Sequence, residues 1–135
     1  MGLHKPSKGG ESLAAENMLP AIDFIFSRVG CDAAVTQCLN AGIRLTTPAE
    51  RDAIFEYVEA ACSHLPPEDL HVLGYHDFLE GLTRGVAAHH AGMLPAFKQC
   101  VEELYVRGLC KVVFATETLA LGINMPARTV VIEKL

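Results

Sequence analysis

The sequence predicts an α/β protein with a parallel sheet covered by helices on both faces. Three observations predict it: short branched apolar runs that read as buried strands, amphipathic segments between them that read as helices, and the strand–helix alternation itself, which joins parallel strands. The runs are Ala21 to Phe26 (AIDFIF), Gly85 to His89 (GVAAH), Lys111 to Ala115 (KVVFA) and Thr129 to Ile132 (TVVI). Each is rich in β-branched, aromatic or small residues and bounded by Gly, Pro or polar positions.

The helices follow from apolar spacing and capping chemistry. Gly30 to Asn40 places Cys31, Ala34, Val35, Cys38 and Leu39 on one face, and Gly42 stands where a helix ordinarily stops. Thr47-Pro48-Ala49-Glu50 is a helix start: the Thr47 hydroxyl can cap, Pro48 suits the first helical position, and Glu50 completes a capping box. That helix should run to about Cys62 and bury Ile54, Phe55, Val58, Ala61 and Cys62, with Leu65-Pro66-Pro67 ending it. A second helix is expected from Pro67 to Gly81. No strand separates the two, so residues 46–84 read as a helical insertion in the alternating pattern. Pro95 to Arg107 is the next helix, with Phe97, Val101, Leu104 and Tyr105 on one face and Gly108 after its end.

Composition bounds the rest. A chain of 135 residues with 50% hydrophobic and 20% charged residues can build one packed domain and is neither disordered nor a disulfide scaffold. That domain is placed at residues 19–135; residues 1–18, which open on MGLHKPSKGG, read as a flexible tail or linker. With 11 Lys+Arg against 16 Asp+Glu the formal charge is −5, so no global basic field draws in nucleic acid or an anionic membrane, and any phosphate contact must be local. The five cysteines (Cys31, Cys38, Cys62, Cys100, Cys110) form no CxxC pair, which fits a reducing cytoplasm and speaks against a four-ligand zinc site. Cys31 and Cys38, seven apart on a helix, read as core. No apolar run approaches the roughly 20 residues of a membrane span. The last strand candidate lies close to Leu135 with no helix after it, so a C-terminally truncated domain is expected.

The segment Ala115 to Val131 (ATETLALGINMPARTVV) leaves a strand's carboxyl end, where open α/β sheets place their ligand crevices, and gathers hydroxyls, a carboxylate, a glycine and an amide. It resembles motif V of the superkiller-like (Ski-like) branch of superfamily-two DExH-box helicases. Two further segments match in the right order: Phe24-Ile25-Phe26-Ser27-Arg28 resembles motif IV, and His89-His90-Ala91-Gly92-Met93-Leu94-Pro95 resembles the family's HHxGLLP signature. The resemblance spans about Leu19 to Leu135. It implies the second of two RecA-like domains of an ATP-dependent helicase, a three-layer domain that closes over ATP and Mg2+ held mainly by the first RecA-like domain of the same polypeptide.

Residue by residue, the resemblance implies that Thr116 touches a phosphate of single-stranded RNA or DNA, that Gly122 and Asn124 face the nucleotide cleft, and that Glu117 belongs to the network coupling the two ligands. Ser27 and Arg28, expected to end the first strand, would share the rim, with Arg28 suited to fork a phosphate. His89, His90 and Gly92 resemble the family's nucleic-acid-side loop. Adjacent strand histidines face opposite sides, so at least one should be structural, and a shared zinc ion is disfavoured for the same reason. Arg128 reads as a brace for its loop, because the family's arginine fingers lie in a later motif VI that this sequence does not contain. No GxxxxGK[ST] loop and no DExH sequence occurs either, so this chain alone should hold no ATP or Mg2+ and should not turn ATP over. Two other readings compete: a stand-alone Rossmann-like domain binding a phosphorylated ligand, disfavoured by the missing GxGxxG, and a docking module that uses the 46–84 insertion as its surface.

Overall fold

A computed structural model describes residues 20–25, 27–116 and 129–132. The expected tail and the loop 117–128 lie outside the described residues. Four strands, β1 (Ala21–Phe24), β2 (Val86–His89), β3 (Val112–Ala115) and β4 (Thr129–Ile132), form one sheet in the order β2-β3-β1-β4, and every neighbouring pair is parallel. From β1 the chain therefore builds β2 and β3 to one side and β4 to the other. The registers bring Phe24, Ala115, His89 and Ile132 level, so the carboxyl ends of all four strands share one rim.

Strand alternation sorts side chains into two apolar layers. Val86, Ala88, Val112 and Phe114 meet Cys31, Cys38 and Ile43 beneath helix α1 (Arg28–Asn40). On the opposite face Ile22, Ala87, Val113 and Ala115 meet α2 (Pro48–Ala61), α4 (Tyr75–Thr83) and α5 (Pro95–Val106). The three-layer α/β arrangement is thus present. Within it the 46–84 segment is no appendage, since Ile54, Val58, Cys62, Tyr75 and Leu82 fill the same core as α5.

Three expectations need correction. The helix expected from Pro67 to Gly81 is two helices, α3 (Pro67–Val72) and α4, because Gly74 takes a left-handed φ of +74° and breaks the helical path. Ser27 and Arg28 do not end the first strand: Ser27 caps α1, its Oγ accepting the Gly30 N–H at 2.9 Å, and Arg28 is the first helical residue, two positions before the expected start. Phe55 is 44% exposed, because the buried face of α2 runs through Ile54 and Val58 with Tyr57 and Ala61 beside it, and Phe55 falls off that stripe.

The insertion begins and ends at one point. The Thr46 hydroxyl donates to the Thr83 carbonyl at 2.6 Å, and the Leu45 N–H donates to the Arg84 carbonyl at 2.9 Å. Beside this stitch Gly85 adopts φ +94°, and a Cβ there would stand 3.1 Å from Thr46 Cγ2 and 3.3 Å from Lys111 Cγ. Its carbonyl accepts both the Lys111 and Val112 N–H groups, which starts the β2–β3 ladder. The capping box of α2 forms as the sequence predicts, with Thr47 Oγ1 accepting from the Glu50 N–H and Glu50 Oε1 accepting from the Thr47 N–H. Lys111 Nζ donates to that same Oε1 and to the Leu45 carbonyl, each at 3.2 Å, tying the insertion to the start of β3.

Two outcomes follow from this junction. Gly85→Ala should cost about 2 kcal/mol in chemical denaturation, since it adds left-handed strain to crowding on three sides. The Thr47 N–H, and after it Lys111, hold the Glu50 carboxyl below its ordinary 4.5 against the opposing effect of burial. A depressed carboxylate stabilises the fold above its unfolded pKa and loses that contribution as pH falls through the folded one. The stability gap between the native chain and Glu50→Gln should therefore be largest near neutrality and narrow below about pH 4.5, as measured by denaturation at both pH values.

Candidate nucleic-acid interface

The three strand-end segments singled out in the sequence meet at the carboxyl rim. The Ile25 N–H donates to the Ala115 carbonyl at 2.8 Å, so the β1 exit leading to Ser27 and Arg28 runs beside the β3 exit leading to Thr116. On the other side of β3, His89 is level with Ala115, which brings the His90–Leu94 turn to the same edge. Thr116 is half-buried at the strand end, and Arg28 is exposed with no ion pair among the described residues. The Ser27 oxygen is used as an acceptor by its own helix, which leaves the hydroxyl proton available to donate outward. Glu117, Gly122, Asn124 and Arg128 lie outside the described residues.

The two histidines divide as strand geometry requires. His89 faces α5, where Nε2 lies 2.7 Å from Glu102 Oε2; His90 faces α1, where Nε2 lies 3.0 Å from Asp32 Oδ1. His90 is 7% exposed, and its Nδ1 accepts the Gly92 N–H at 3.0 Å. A backbone N–H can only donate, so Nδ1 carries no proton and the neutral ring holds its hydrogen on Nε2, directed at Asp32. Both ring nitrogens of His90 are therefore engaged inside the protein. The turn closes with the Met93 N–H on the His90 carbonyl at 3.2 Å. A Cβ at Gly92 would stand 3.2 Å from His90 Nδ1 and 3.4 Å from Arg28 Cδ, so the absent side chain lets Arg28, the imidazole and the turn pack together.

Sequence reading missed Asp32 and Glu102, the acids that hold the two histidines, because they lie 58 and 13 residues away and only the fold joins them. It also passed over Asp23, a carboxylate only 2% exposed in β1. The Cys31 thiol is pushed up to about 11, first by burial and then by the charges of Asp32 and Asp23. Burial likewise raises Cys62, and carries Cys100 and Cys110 to about 12, so none of these four is a ready nucleophile. Among the described residues no three His, Cys, Asp or Glu side chains cluster as metal ligands, and no helix is long and apolar enough to cross a membrane. A cavity of about 490 Å3 opens behind the turn, between α1 and α4, lined by Val35, Leu39, Phe78, Ala88 and Phe97 with Asp32 and His90 at its edge.

No protein-family model matches the chain. Among curated proteins, the probable helicase HelY of Mycobacterium tuberculosis is 61% identical over 137 residues, covering 99% of this chain and 15% of its own length. A chloroplast DExH-box ATP-dependent RNA helicase of Arabidopsis thaliana is 51% identical over 123 residues, which is 91% of this chain and 10% of that protein. The chain belongs to the Ski-like superfamily-two helicases, close to the HelY type. A more distant member, superkiller complex protein 2 of Homo sapiens, keeps 40% identity over 124 residues, 92% of this chain and 10% of its own length. The chain thus corresponds to a small part of each relative. Within this Ski-like segment the motif IV and HHxGLLP resemblances fall on the exits of β1 and β2, and the first residues of motif V on the exit of β3.

Gly92→Ala should test how tightly the turn is packed. A methyl group 3.2 Å from the His90 ring must displace the imidazole or Arg28, with an expected cost of about 1 kcal/mol in thermal unfolding.

Proposed function

We propose that this chain forms the second RecA-like domain of an ATP-dependent helicase and that its carboxyl rim grips the backbone of a single RNA or DNA strand. The observation that carries the reading is the convergence of Ser27 and Arg28, the His90–Leu94 turn and Thr116 on one edge of a parallel sheet, beside the point where strand order reverses. Hydroxyls, a guanidinium and backbone N–H groups at such an edge bind phosphate oxygens without a basic surface, which suits a chain of net charge −5. Contacts of this kind read the strand's backbone and not its bases, so sequence preference is slight and binding weakens with salt.

In this reading Thr116 and Arg28 meet phosphates, while His89 and His90 serve the interface by shaping the backbone between Ala88 and Leu94. Gly122 and Asn124 face the nucleotide, and Glu117 links that cleft to the strand through the short connection from Thr116. ATP and Mg2+ are held mainly by the first RecA-like domain of the same polypeptide, with a motif VI segment completing the cleft. ATP binding draws the two domains together on the strand, hydrolysis releases them, and repeated cycles move the enzyme along it. The Arabidopsis relative is named as an RNA helicase, which makes RNA the first strand to try.

The deciding experiment measures ATP hydrolysis by the intact polypeptide that carries this chain, with single-stranded RNA and DNA supplied separately. Strand-stimulated turnover is expected, and Thr116→Ala and Gly122→Ala should each reduce the stimulation by about tenfold or more. The 135-residue chain alone should show none. Absence of turnover in the intact polypeptide, or stimulation indifferent to both substitutions, would return the rim to a simple phosphoryl-ligand or docking role.

A further inference from the structure

Asp32 lies one helical turn after Arg28 on α1, the spacing at which an acid and an arginine on a helix ordinarily pair. Here it does not pair with Arg28. Its Oδ1 takes the His90 Nε2–H instead, although its side chain is 64% exposed and His90 is 7% exposed. An exposed carboxylate committed to a buried imidazole fixes that ring's orientation, because the opposite nitrogen is already occupied by the Gly92 N–H. Arg28 Cδ packs against the same glycine, so the guanidinium stem, the turn and the imidazole form one cluster anchored at a single point on α1.

We propose that Asp32 is a positioning residue for the strand-binding rim: through His90 it pins the His90–Met93 turn and, against Gly92, the stem of Arg28. The inference rests on the function proposed above. It requires no contact between Asp32 and the strand, and it predicts an effect opposite in sign to simple electrostatics. A carboxylate near a phosphate chain repels it, so removing an idle surface acid would tighten binding. Removing a positioning acid loosens it, because the turn and Arg28 then sample geometries the strand cannot use.

The test uses the intact polypeptide and measures the concentration of single-stranded RNA, and separately DNA, giving half-maximal ATPase stimulation for the native protein, Asp32→Ala and Asp32→Asn. Asp32→Ala should raise that concentration about fivefold, the worth of one lost hydrogen bond. Asp32→Asn should restore it to near native, because its side-chain carbonyl still accepts from Nε2–H. The salt dependence of binding should keep its native slope in Asp32→Ala, whereas Arg28→Ala should lower the slope by about one phosphate contact. Tighter or unchanged strand use by Asp32→Ala, or an equal loss in Asp32→Asn, overturns the role of Asp32 and leaves the proposed function standing. Failure of both RNA and DNA to stimulate the native polypeptide overturns the function itself. Thermal unfolding of the native protein and the three variants separates a loosened rim from a fold that has failed.

Discussion

The carbonyl of Gly85 is the constraint on which the rim depends. It is the first acceptor of the β2–β3 ladder, and the phase it sets decides which β2 residues face which helix layer. A slip of one residue would exchange the two faces and carry His89 toward α1 and His90 toward α5, away from the acids that receive them. Gly85, the residue that leads into β2, has a left-handed φ, and three side chains crowd the place where its Cβ would be. The geometry of the His90 turn is thus decided at the opposite end of the strand that leads to it.

On the proposed reading, the rim assembles a phosphate-binding surface on an acidic chain. Each proposed contact is local, drawn from a helix start, a strand end or a turn, and the neighbouring acids Asp32 and Glu102 are engaged with histidines. The thiols take no part, because burial holds Cys31, Cys100 and Cys110 well above the range in which cysteine ionises readily.

Strand positions and helix faces were legible because they depend on short-range periodicity. AIDF, VAAH, VVFA and TVVI all lie within the runs read from sequence, and Thr47 and Glu50 cap α2 as their spacing dictates. The break at Gly74 was less legible, since a lone glycine in a helical pattern is tolerated as often as it terminates. The start of α1 was misplaced because Ser27 follows an apolar run and resembles its end until its hydroxyl is seen on the Gly30 N–H. Rim residues were recognisable by resemblance to known motifs, but their supports were not. No local rule connects Asp32 with His90 or Lys111 with Glu50, which meet only after the sheet has formed.

The closed neck of the 46–84 excursion bears on how such a domain can diversify. Because its ends are joined by a 2.6 Å hydrogen bond between Thr46 and Thr83, the excursion leaves and rejoins the sheet at one fixed doorway, whatever the length of chain beyond the residues that fill the core. Lengthening a closed loop raises its entropic cost only logarithmically, by about 0.6 kcal/mol per doubling. The outer helices can therefore be extended, shortened or exchanged over evolutionary time while the rim stays in register, provided Ile54, Val58 and Leu82 remain to fill their share of the core. Such a neck lets the excursion change its outer surface without retuning the sheet.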